Sequence, residues 1–211
     1  MDSPVVLVNA KAYERGVGTA AVSLASACAE VGAWVAVQAV DVYRVSSETD
    51  AVVWAQHADA VGFGSHTGAV LPEALKQAGA EGTLLNHAEK QLPLEVIEAS
   101  IARCKEVGLK TMVCADSLAV AQAVDAFAPD FIALELPDLI GGDLSIVSAD
   151  PALITQAVNA LQTPVLVGAG VQSGEDLSCA LSLGAQGVLL ASGVVSKPDN
   201  QLAALHSLYS V

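Results

Sequence analysis

Residues 165–195 read VLVGAGVQSGEDLSCALSLGAQGVLLASGVV. The apolar triplet Val165–Val167 is too short for a buried helix and stops at the turn Gly168-Ala169-Gly170. A segment of helical period fits 175–183, and a second apolar run from Gly187 stops at Ala191-Ser192-Gly193. Strand, small-residue turn, helix and strand follow one another within about thirty residues, the length of a βαβ unit.

The same alternation extends over the whole chain. Strand-like runs begin near Val5, Ala33, Val52, Gly82, Thr111, Phe131, Val165 and Gly187. Between them Ala21, Leu24, Cys28 and Val31 step by three, four and three, as do Leu94, Ile97, Ile101 and Cys104. Further helices fit 70–78, 117–127, 151–161, 175–183 and 199–209, whereas the stretch near 42–50 makes a poor one. The strand runs do not alternate polar with apolar, as expected when helices cover one face and a packed interior the other. Eight units in 211 residues, about 26 residues apiece, favour a closed (β/α)8 barrel over an open doubly wound sheet. No linker or low-complexity tract divides the chain, so one domain over 1–211 is expected.

Composition agrees. Apolar residues make up 53% and charged residues 15%, too apolar for a disordered chain. The formal net charge of −14, from 23 acids and 9 bases, argues against binding to nucleic acid by phosphate neutralisation. A charge-poor coat on so apolar a chain also suits surface buried between subunits. Cys28, Cys104, Cys114 and Cys179 form no CxxC pair and no metal-like spacing with the four histidines, which favours reduced thiols in the cytoplasm. The first apolar run, Val5–Val8, ends at Asn9 and is too short for a signal peptide. Pro164 and several polar residues interrupt the longest uncharged stretch, Pro151–Gly174, so no membrane span is expected.

In such a barrel the active site lies where the strands end. Strand one ends in Asn9-Ala10-Lys11, strand four in Asn86-His87 and strand six in Glu135. Strands seven and eight end in glycine-rich turns whose backbone N–H groups can hold an anion. One cation, one imidazole, one carboxylate and two small-residue turns therefore share a rim. A dinucleotide fingerprint at 168–174 is a weaker reading, because its last glycine falls one position too late. Singly, each residue has an ordinary alternative. Lys11 can be a solvated lysine and His87 a core histidine, with His57 as a comparable candidate at the end of strand three. Glu135 is the hardest to explain otherwise, since an acid capping an apolar strand is costly unless it is paired or at an open rim.

Several segments together resemble one family: VNAKAY at 8–13, AQH at 55–57, GSHTGAVLPEAL at 64–75, GTLLNHAEK at 82–90, PDFIALELPDLIGGD at 129–143, VLVGAGVQSGED at 165–176 and GVLLASGVV at 187–195. The chain resembles triosephosphate isomerase, in its short archaeal-type branch, over nearly its whole length. The resemblance implies interconversion of dihydroxyacetone phosphate and D-glyceraldehyde 3-phosphate in glycolysis and gluconeogenesis, with no metal or organic cofactor. It places the base on Glu135, the electrophile on His87, and the substrate grip on Asn9 and Lys11. Backbone at Ile140, Gly141, Gly168, Ala169, Ala191 and Ser192 would hold phosphate, and Leu136–Asp143 would close as a lid. The family is itself the standard example of a glutamate base paired with a neutral histidine and a closing loop.

Thr67, in GSHTG, matches the residue that reaches a neighbouring subunit, and the archaeal-type branch implies a homotetramer, with a dimer as the alternative. Three positions depart from the family pattern: Leu136 for proline after the base, Ala88 for serine after the histidine, and Asp143 in the lid. Two rival functions stand beside this one. A sugar-phosphate epimerase or lyase would need a second acid or a metal cluster at the rim, and a non-catalytic member would bind metabolite phosphate only.

Overall fold

In a computed structural model of the chain, which describes residues 3–136, 145–197 and 201–209, the apolar runs form eight strands. These are β1 (Val5–Asn9), β2 (Trp34–Val37), β3 (Val52–Ala55), β4 (Gly82–Leu85), β5 (Lys110–Ala115), β6 (Phe131–Leu134), β7 (Val165–Val167) and β8 (Gly187–Leu190). They pair in parallel in chain order, and β8 closes on β1 with Val5 to Val8 opposite Gly187 to Leu190. The closed eight-stranded barrel expected from the alternation is the architecture found. A side chain at 187 would drive its Cβ to 1.8 Å from the Val5 carbonyl oxygen, so only glycine lets the last strand meet the first.

Each strand buries both faces. Val6, Val8, Val35, Val37, Val113 and Ile132 point outward into one apolar cluster with the helices. Leu7, Trp54, Leu84, Met112, Leu166 and Leu189 point inward into a second. That two-sided burial is why the sequence shows runs and not alternation. Trp54 fills the interior because its neighbours are small: Ala36 and Ala133 share its cluster, and a Cβ on Gly82 would lie 2.7 Å from its ring. Trp34 stacks on Trp54 at 5.4 Å between ring centroids, and Phe131 meets Trp34 edge-on at 5.8 Å.

The helices are α1 (Thr19–Val31), α2 (Val42–Glu48), α3 (Pro72–Gln77), α4 (Leu94–Glu106), α5 (Leu118–Asp125), α6 (Ile146–Ala149), α7 (Pro151–Ala160), α8 (Gly174–Ser182), α9 (Ser192–Val195) and α10 (Gln201–Tyr209). Helix α1 buries Ala21, Leu24, Ala25 and Cys28 and stops at Gly32, whose φ of +74° suits glycine. Ser117, Asp150 and Ser173 cap α5, α7 and α8, and at α8 the side chain of Asp176 returns the bond to the Ser173 N–H. The poor helical stretch near 42–50 does form α2, because Val42 and Val45 are all it must bury against the barrel. Two elements were not expected, α6 and α9. At four residues each they are too short to show a period. Among the described residues no helix is long and apolar enough to cross a membrane.

Candidate active site

The strand ends point at one cleft, and the backbone around it is held in unusual conformations. After the last β1–β2 bond, from Ala10 N–H to the Ala36 carbonyl at 2.9 Å, the chain turns so sharply that Lys11 takes a φ of +48°. For a residue with a side chain that region costs on the order of 1–3 kcal/mol. The geometry is held from both sides: Lys11 N–H donates to Asn9 Oδ1 at 3.0 Å, and Gln56 Nε2 donates to the Lys11 carbonyl at 3.0 Å. The ammonium is thereby turned over the barrel mouth, where it meets Glu89 Oε1 at 2.8 Å.

Asn86, before the histidine, is also left-handed, with φ of +58°. Its Nδ2 donates to the Cys114 carbonyl at 2.9 Å and its Oδ1 accepts from Leu92 N–H at 2.8 Å, pinning the turn that presents His87. His87 begins a three-residue 3-10 turn, Ala88–Lys90, and its Nδ1 accepts the Glu89 N–H at 3.1 Å. With Nδ1 occupied as an acceptor, the ring proton sits on Nε2. Burial lowers the pKa of His87 below the usual histidine value, and the positive charge of Lys11 lowers it further. The imidazole is therefore neutral near pH 7, with its N–H directed into the cleft. A single short turn, acting through one N–H, fixes the tautomer.

Glu135 follows β6 directly, its N–H bonded to the Ala115 carbonyl at 2.9 Å. The carboxyl is 4% exposed, and its Oε1 lies 3.5 Å from His87 Nε2. Room for it comes from Gly168 on the neighbouring strand end, where a Cβ would come within 2.5 Å of Glu135 Cγ. Burial raises its pKa to about 7, against the opposing pull of Cys114 and Lys11. A base poised there can take a proton from carbon near neutral pH.

That shift has a consequence for folding. The folded state holds this proton more tightly than the unfolded chain does, so stability present below the unfolded value near 4.5 is lost as pH rises through about 7. Glu135→Gln removes the buried charge. The variant is expected to melt several degrees above wild type at about pH 8, an effect on the order of 3 kcal/mol, and with wild type at about pH 4.5. Calorimetry at the two pH values checks this.

Asn9, Lys11, His87, Glu135, Gly168, Ala191 and Ser192 all line the same cleft, together with Tyr13, Gly170, Val171 and Gln172. Ala169 is buried behind the wall, its carbonyl accepting the Ile146 N–H at 3.1 Å. The Gly168 N–H is spent on the Leu134 carbonyl at 2.8 Å. Ser192 and Gly193 open α9, and their N–H groups lack intrahelical partners. Ile140 and Gly141, with the rest of the expected lid after Leu136, lie outside the described residues. His57 stands apart from Glu135, bound through Nε2 to Asp59 Oδ1 at 2.9 Å, in a second cavity beside Lys11. Glu89, Gln56 and Cys114 were not singled out from the sequence. Glu89 sits two places after His87 in NHAEK, and that spacing was its one visible signal. Among the described residues no His, Cys, Asp and Glu side chains are grouped to hold a metal ion.

A family profile described as triosephosphate isomerase matches residues 4–207. The chain belongs to the triosephosphate isomerase family. It is 45% identical over 219 aligned positions to the triosephosphate isomerase of Methanosarcina acetivorans, covering 99% of this chain and 98% of that one. With the triosephosphate isomerase of Methanothermobacter thermautotrophicus it shares 42% over 205 positions, covering 92% and 90%. The crystal structure of triosephosphate isomerase from Bartonella henselae superposes with a TM-score of 0.73 over 99% of both chains, at 18% identity, which speaks to the fold.

Proposed function

We propose that the protein is an aldose-ketose isomerase that interconverts dihydroxyacetone phosphate and D-glyceraldehyde 3-phosphate through an enediol(ate), serving glycolysis and gluconeogenesis in the cytoplasm. Family membership supports the reaction. The observation that supports the residue roles best is the neutral His87 N–H and the Glu135 carboxyl, 3.5 Å apart in one cleft.

Glu135 removes the proton from carbon next to the carbonyl. Its raised proton affinity comes from the same burial that keeps water from competing. Negative charge then develops on the two substrate oxygens. His87 donates from Nε2 and shuttles the proton between them; a neutral donor matches the weakly acidic enediol better than an imidazolium would. Lys11, with Asn9 fixing its backbone, supplies positive charge to the phosphate and the enediolate. Ala191 and Ser192 hold the phosphate, joined by Ile140 and Gly141; Gly168, its own N–H spent on the Leu134 carbonyl, lines the pocket beside it, with Ala169 behind the wall. No metal or organic cofactor takes part. Purified protein given D-glyceraldehyde 3-phosphate in an assay coupled to reduction of dihydroxyacetone phosphate is expected to show enzyme-dependent turnover. Turnover no faster than the uncatalysed rate would overturn the proposal.

The same reading includes assembly into a homotetramer, or at least a dimer. Residues 63–68, which carry Thr67, are all exposed and include Phe63 at 75% exposure. Val40 and Tyr43 are likewise exposed, at 85% and 69%. The second cavity, lined by Gln38, Gln56, His57, Val70 and Lys90, opens beside Lys11, and we assign it to the Thr67 loop of another copy. Thr67→Arg is expected to weaken association by more than about tenfold and to lower activity at dilute protein, read by sedimentation velocity. A wild-type protein that sediments as a stable, fully active monomer would refute the assembly.

A further inference from the structure

The carboxyl of Glu135 is buried, yet its second oxygen, Oε2, meets no aligned hydrogen-bond donor among the described residues. An orphaned carboxylate oxygen in a dry site costs about 1–3 kcal/mol or more, so something should steady it. Oε1 faces His87. Beside the carboxyl lies a narrow crevice lined by Asn86, Ala88, Gln91, Cys114, Ala115, Asp116 and Glu135. Its side-chain donors are committed elsewhere: Asn86 Nδ2 to the Cys114 carbonyl at 2.9 Å, and Gln91 Nε2 to Asp116 Oδ2 at 3.2 Å. Ala88, next to His87, carries only a methyl group.

The remaining side-chain donor is the thiol of Cys114. Strand register puts it there: Cys114 pairs with Ala133 and Ala115 with Leu134, and Glu135 N–H bonds the Ala115 carbonyl. Like Met112, Cys114 faces the barrel interior, 2% exposed, the last inward residue of β5 beneath the base. We propose that Cys114 is a positioning residue, its Sγ–H turning to donate to the Glu135 carboxylate and hold it in place between turnovers. The role of Glu135 as base is the reading given above, on which this rests. Burial, with the negative charge of Glu135 next, keeps the thiol protonated well above its ordinary range, so it serves as donor and not as a thiolate. The hydrogen rotates about Cβ–Sγ, so alignment requires no movement of the strand.

The test separates donor from packing. Cys114→Ser keeps a donor and loses apolar character; Cys114→Val keeps apolar bulk and loses the donor. The readout is the titration of the Glu135 carboxyl by isotope-edited infrared spectroscopy, alongside the acid limb of kcat/KM. The other groups facing the carboxyl are His87, Lys11, Glu89 and Asp116, and both variants leave them unchanged. Cys114→Val is expected to raise the titration by about one pH unit, a tenfold smaller ionised fraction on the acid side, with the acid limb moving in step. Cys114→Ser is expected to titrate at or below wild type. The opposite order, or a carboxyl titration that neither variant moves, would overturn the proposal. The infrared shift is read whether or not Glu135 is the base, whereas activity surviving in Glu135→Gln would contradict the base assignment alone.

Discussion

Glu135→Gln is expected to lower kcat by about a thousandfold, within the range seen when a general base is removed. Binding of glycerol 3-phosphate, which has the phosphate and the carbon chain but no carbonyl, is expected to persist within about threefold of wild type. The reasons are geometric. Glutamine is nearly the same shape, and the room left for the stem by Gly168 remains. An amide cannot accept a proton from carbon, however well it is placed. The variant also gains stability at alkaline pH, as argued from the raised pKa, so lost turnover with a raised melting temperature would show that the charge serves chemistry at the expense of the fold. Comparable turnover in the variant would remove Glu135 from its assigned role.

Lys11→Met is expected to lower kcat/KM by about three orders of magnitude, with KM raised and kcat reduced. The protein carries a net charge of −14, so its overall field repels a phosphate dianion, and among the described residues Lys11 is the one cation lining the cleft. It is placed by a strained φ of +48°, braced by Asn9 and Gln56. Such strain persists only where the surroundings impose it. Lys11→Arg is expected to recover no more than a few per cent of the loss, because the guanidinium is larger and planar while the turn aims a single ammonium at Glu89 over the barrel mouth. Steady-state kinetics on both variants checks this, and a loss under about tenfold for Lys11→Met would contradict the site.

These side chains could be found from sequence for a physical reason. Lys11, His87 and Glu135 each interrupt or cap an apolar run, and in a barrel buried on both faces a polar residue there has few destinations besides the rim. The eight runs themselves were visible because two-sided burial leaves no polar face to blur them. What stayed hidden depends on contacts between strands. Cys114 reads as one more apolar residue of KTMVCA until the β5–β6 register sets it beneath Glu135. Gln56 resembles any polar residue after a strand until it meets the Lys11 carbonyl, 45 residues away in the chain. The tautomer of His87 rests on a single N–H to Nδ1, which no spacing reveals. The helix α2 was read as poor because its two buried valines make too brief a pattern, although the barrel surface asks for no more.

In the proposed mechanism Glu135 takes a proton from one substrate carbon and returns one to the neighbouring carbon of the bound enediol(ate), and between the two steps solvent exchange can mark it. The most direct measurement follows D-glyceraldehyde 3-phosphate in deuterium oxide by proton NMR, with wild type and Glu135→Gln side by side. Wild type is expected to form dihydroxyacetone phosphate carrying deuterium on the carbon that received the proton, and the variant to form it about a thousandfold more slowly. Product formed at an undiminished rate by Glu135→Gln, or no product from wild type, would contradict that role for Glu135.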